Sequence, residues 1–155
     1  MLVNSIKNQT NNIFMNIEVL LENIPESEFN TIKGGFLTWK HFYHLIYTLE
    51  KYFIDPSNYS DPIFHKNYVC ITNMENDKKM SKNEINEYYH NVKSKVQDYL
   101  NILNDELLEE KISFEKMEFT KLELILSQFR HIFYHIGYLH CCIRIEKGET
   151  PEYIY

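Results

Sequence analysis

The sequence predicts an all-α protein, a four-helix bundle with a long connection between its second and third helices. Apolar residues recur at helical spacing in four separate segments, and no segment alternates convincingly as a strand. Between the second and third of these segments lies an irregular stretch, residues 55–80, broken by Pro56 and Pro62. Unstructured connections beyond about 15 residues are uncommon in compact domains and often cover a functional site. Four amphipathic helices with one long crossover define a bundle, and the chain of 155 residues reads as a single domain, residues 1–155.

The first helix is expected over residues 3–24, where Ile6, Ile13, Ile17, Leu20, Leu21 and Ile24 fall near helical spacing before Pro25 ends the pattern. Residues 28–35, with Gly34 and Gly35, read as a connection. Thr38 is the expected N-cap of a second helix over residues 39–54, which carries Phe42, Leu45, Ile46, Leu49 and Phe53 as its apolar stripe. Within the long stretch, Tyr59, Phe64, His65, Tyr68 and Cys70 are side chains that need something to pack on. Ser81 and Glu84 form an S-x-x-E capping box for the third helix. Its face runs from Ile85 through Tyr89, Val92, Val96, Tyr99 and Leu103 to Leu107. Residues 111–117 read as a connection, and the fourth helix is expected over residues 120–145.

Composition narrows the function. The net charge is -6, and the only arginines are Arg130 and Arg144, so the basic stripe of a nucleic-acid-binding protein is missing. No apolar run is long enough to span a membrane, and the start of the chain lacks a signal-peptide pattern. The three cysteines, two of them adjacent, do not form a secreted disulfide framework. Together these features predict a cytoplasmic protein with no nucleic-acid or membrane partner. Aromatic residues reach 15% and alanine is absent, so bulky contacts should hold the helices apart and leave room for a polar pocket.

The histidines carry the chemical signal. Five of the 7 lie on the second and fourth helices. His131 and His135 form H-x-x-x-H, which stacks two imidazoles on one helix face, where both can reach one ion. A third ligand from a facing helix would complete a three-histidine set that leaves a coordination position open. The second helix offers His41 and His44. The alternative for each of these side chains is a core histidine satisfied by a hydrogen bond.

At this point the chain resembles the DinB superfamily, including its YfiT group. The carrying strings are Trp39-Lys40-His41-Phe42-Tyr43-His44 on the second helix and Gln128-Phe129-Arg130-His131-Ile132-Phe133-Tyr134-His135-Ile136-Gly137 on the fourth, the latter similar to an H-x-x-x-H-x-G motif. The tail, Pro151-Glu152-Tyr153, is similar to a closing Pro-Glu-Trp, with tyrosine in place of tryptophan. The resemblance spans the whole chain and implies a four-helix bundle with a divalent metal, zinc or nickel, on His44, His131 and His135. His41 then stands one turn before the site. It also implies chemistry with a low-molecular-weight thiol, of the bacillithiol or mycothiol kind, and a small electrophilic substrate, or else metal-assisted hydrolysis. Neutral imidazoles leave the ion its full charge, so a thiol or water bound there loses its proton near neutral pH.

Other residues are read against this site. Gly137 suggests close helix packing or space beside the metal, and Tyr138 a pocket wall or an ordinary packed ring. His140 lies about 140° around the helix from His135 and should not reach the same ion. Glu87 and His90 make one E-x-x-H unit, whereas a di-iron bundle needs two. Cys141 and Cys142 read as packed small residues. The competing expectation is a non-catalytic interaction module or homodimer with a vestigial or structural metal site, closed by a fourth protein ligand such as His41 or Cys142.

Overall fold

The computed structural model describes residues 2–67, 79–114 and 116–155. It is mostly helical, with two small sheets. The helices are α1 (Leu2–Asn23), α2 (Thr38–Phe53), α3 (Lys82–Ile102), the short α4 (Asp105–Leu108) and α5 (Lys121–Lys147). The strands are β1 (Ile32–Lys33), β2 (Phe36–Leu37), β3 (Lys111–Phe114) and β4 (Met117–Thr120). No helix among the described residues is long and apolar enough to cross a membrane.

The core lies between the four long helices. α2 packs against α3 and α5, and α1 packs against the same two. The stripe expected on α1 is buried from Ile6 to Leu21, with Ile24 buried just beyond the helix. α2 is enclosed on almost every side, and Trp39, Phe42, Leu45, Ile46 and Leu49 have no exposed surface. Each such side chain contributes about 1.5–3 kcal/mol of transfer free energy, which is why the 3.6-residue period decides where the helices form.

The helix ends follow local chemistry, with one correction. Ser81 and Glu84 form the expected capping box on α3, and Thr120 with Glu123 forms a second one on α5. Gly148, in the left-handed region, ends α5. Thr38, however, is the first residue of α2 rather than its cap, and the cap position is Leu37, with no side-chain bond. The Thr38 hydroxyl instead donates to the Thr31 carbonyl at 3.0 Å, tying the helix to the preceding turn.

Three further expectations change. α3 stops at Ile102, so Leu107 belongs to α4, which Asn104 caps by accepting from the Leu107 N–H at 2.8 Å. Residues 28–35 and 111–117, read as plain connections, contain strands. β1 pairs antiparallel with β2 through a Gly34-Gly35 turn, and both glycines have positive φ, as a tight hairpin requires. β3 pairs with β4 in register Lys111↔Thr120 to Phe114↔Met117. Neither pattern is long enough to stand out against the helical background.

The start of the long connection does pack. The Tyr59 hydroxyl donates to the buried Glu50 carboxylate at 3.0 Å, the Tyr47 hydroxyl donates to Asp61 at 2.6 Å, and His65 stacks on Tyr47 with ring centroids 4.2 Å apart. Tyr68 and Cys70 lie outside the described residues. At the other end of the chain, buried Asn16 holds the tail by donating to the Ile154 carbonyl and accepting its N–H.

Candidate metal centre

Packing α2 against α5 brings four imidazoles together. His44 comes from α2, and His131 and His135 come from successive turns of α5. One ring nitrogen from each lies within 4.8 Å of the other two. His44 Nε2 and His131 Nε2 are 3.2 Å apart. Two nitrogens on a tetrahedral zinc at ~2.0–2.1 Å stand about 3.3 Å apart, so this pair already has the spacing of shared ligands. The His135 nitrogen lies no more than 4.8 Å from either.

The fourth imidazole has a different place. His41 Nε2 lies 2.6 Å from His135 Nδ1, and His41 is outside the group of three. It is buried between the ring of His135 and those of Phe36 and Tyr138. The hairpin joining β1 to β2 closes this side, because the Tyr138 hydroxyl donates to the Gly34 carbonyl. A Cβ on Gly34 would overlap that same hydroxyl. The Tyr138 ring thus anchors a hairpin beside the histidines.

All four imidazoles are held neutral. Burial, with mutual repulsion among their charged forms, lowers His41 and His44 to about 4 and His135 to about 3. Burial also lowers His131. Neutral rings are the form that binds a cation, so the donor set fits a divalent ion that favours imidazole.

A pocket of about 240 Å³ opens beside His131. Thr48 and Tyr52 of α2 form one wall, and Phe114, Met117 and Phe119 of the β3–β4 hairpin form another. Leu124, Ser127 and Gln128 lead along α5 to His131. None of these hairpin residues stood out in the sequence. The signal was there in short alternation, with Phe114 and Phe119 on two four-residue strands.

The remaining candidates lie elsewhere. Neither Cys142 nor His140 belongs to a group able to hold an ion among the described residues. Cys142 is buried and Cys141 exposed, while His140 is buried beside Tyr153. Glu87 and His90 are exposed on α3, with Glu87 accepting from Asn83. Gly137 is exposed, and a Cβ there would meet nothing within 4 Å among the described residues, so close packing does not explain it.

No protein-family model matches the sequence, and no curated protein matches it. Among solved structures, the chain is similar to a conserved protein from Enterococcus faecalis, with a TM-score of 0.66 and 16% identity. That similarity covers 94% of this chain and 97% of the other. At this identity the likeness shows a shared fold and nothing about activity.

Proposed function

We propose that the protein is a DinB-like four-helix bundle that holds one divalent metal, zinc or nickel, on His44, His131 and His135, and uses it in catalysis. The observation carrying this reading is the convergence of three neutral imidazoles from two packed helices beside an aromatic-walled pocket. No fourth His, Cys, Asp or Glu among the described residues joins the group, which favours an open coordination position over a closed structural site.

A bound ion would lower the pKa of a thiol or water brought to it, supplying a nucleophile for S-transfer to a small electrophile or for hydrolysis. The chain's own residues arrange that step. His41 fixes the ring of His135: when His135 binds through Nε2, its Nδ1 carries the proton and donates to His41 Nε2. Phe114 and Phe119 form an aromatic wall of the pocket beside His131, which leaves room for an organic substrate.

The test is metal content, measured by mass spectrometry on untagged protein prepared without nickel columns or chelators. About one zinc or nickel per chain is expected, lost in His44→Ala and in His135→Ala while helical circular dichroism persists. A wild type that carries no metal and gains no thermal stability from added zinc or nickel would defeat the reading. A loaded protein would then be screened with low-molecular-weight thiols and a chromogenic electrophile.

A further inference from the structure

The β1–β2 hairpin is tied to α5 at two points. The Tyr138 hydroxyl donates to the Gly34 carbonyl at the turn, and the Lys33 ammonium pairs with the Glu146 carboxylate near the end of α5. Glu28, ahead of the hairpin, meets the same ammonium at 2.9 Å. The Lys33 side chain is only 4% exposed. A charge buried that deeply persists with its carboxylates in place, so the hairpin cannot slide along α5 without stripping an ammonium of its partners.

What the hairpin brings into place is the surroundings of His41. Phe36 of β2 meets the His41 ring edge to face, with centroids 5.8 Å apart, and the Tyr138 ring lies 5.0 Å from it. Phe36 and Tyr138 are themselves 6.0 Å apart. His41 is thus boxed between two rings of this tie and the ring of His135, whose Nδ1 lies 2.6 Å from His41 Nε2. A hydrogen bond of that length tolerates little rotation of either ring. Holding His41 therefore holds His135, and a ligand ring held in orientation is what an outer-shell partner supplies to a metal site.

We infer that the β1–β2 hairpin is a clamp on the His41–His135 pair, and that Tyr138 is a positioning residue for the metal centre, acting on His135 through His41. The effect on the metal rests on the metal-centre reading, whereas the clamp on the two rings does not. The Tyr138 hydroxyl holds the hairpin and its ring holds His41, without taking part in bond making.

The experiment measures zinc affinity by competition with a chromophoric chelator, beside the ring ¹⁵N signals of the zinc-free protein labelled in histidine. Tyr138→Phe, which removes the hydroxyl and keeps the ring, should bind zinc about 3- to 10-fold more weakly, the worth of one neutral hydrogen bond. Glu146→Gln, which loosens the second tie, should weaken zinc in the same direction. In a His41→Phe background, Tyr138→Phe should cost less than about 2-fold more, because two changes along one line of contacts do not add. Tyr89→Phe removes a hydroxyl that ties α3 to the Phe14 carbonyl of α1 at 3.1 Å, and it should leave zinc binding unchanged. Affinity unchanged in both Tyr138→Phe and Glu146→Gln, an equal loss in Tyr89→Phe, or an undiminished loss in the His41→Phe background would overturn the assignment. Zinc held equally well by wild type and the two clamp variants overturns the clamp and leaves the metal centre standing. Ring signals of His41 and His135 that shift in Tyr138→Phe, in a protein that binds no zinc, support the clamp and remove the metal centre.

Discussion

His41 Nε2 and His135 Nδ1 lie 2.6 Å apart, so the histidine nearest the triad in sequence contacts a candidate ligand rather than joining the set. Two histidines three residues apart on α2 thereby take different positions. His44 faces His131, and His41 supports His135 from behind.

This relationship predicts graded losses of metal affinity. Removing an outer-shell partner typically weakens a metal site about 10- to 100-fold. His41→Phe should therefore bind zinc that much more weakly than wild type in competition with a chromophoric chelator, with stoichiometry still near one. His44→Ala should lose the site altogether. Equal losses in the two variants would place His41 among the ligands.

The metal-free protein should be acid-sensitive over a defined window. His41, His44 and His135 have folded-state values of about 4, about 4 and about 3, all below the ordinary value of 6.5. Above pH 6.5 both folded and unfolded chains keep these rings neutral, and they cause no loss. As pH falls below 6.5, the unfolded chain takes up protons that the folded one refuses, so stability declines until the folded rings titrate near 3–4. Urea midpoints for the apoprotein should fall between pH 7 and pH 4. The slope should flatten in a His41→Phe/His44→Phe double variant, and an unchanged slope would contradict the burial of neutral rings.

Gly34→Ala should destabilise the protein by more than the about 1–3 kcal/mol that forcing an L residue into a sparsely populated backbone region costs. Gly34 has φ +57, and a Cβ there would run into the Tyr138 hydroxyl. Gly35→Ala, with φ +94 but open space around its Cβ, should suffer only the backbone cost. The melting temperatures of the two variants separate the effects, and Tyr138→Phe should partly relieve Gly34→Ala.

Much of this arrangement was legible in residue spacing, because helices signal themselves over many turns. Ile13, Ile17 and Leu20 mark the α1 core, Ser81 with Glu84 marks the start of α3, and His131 with His135 marks one face of α5. The hairpins were hidden, since strands of two and four residues give too few alternations to compete with a helical period. Choosing between His41 and His44 also lay beyond spacing. Three residues on a helix leave two side chains about 60° apart on the same face, and only the neighbouring helix decides which one meets His131. The pocket beside His131 was invisible for the same reason, because its walls come from β3, β4 and two helices far apart in sequence.

The most direct test of the central claim is zinc-edge X-ray absorption on protein reconstituted with one equivalent of zinc. Three imidazole nitrogens at ~2.0–2.1 Å with one exchangeable light-atom ligand are expected, reduced to two imidazoles in His131→Ala. A fourth imidazole, a sulfur at ~2.3 Å, or a spectrum unchanged in His131→Ala would contradict it.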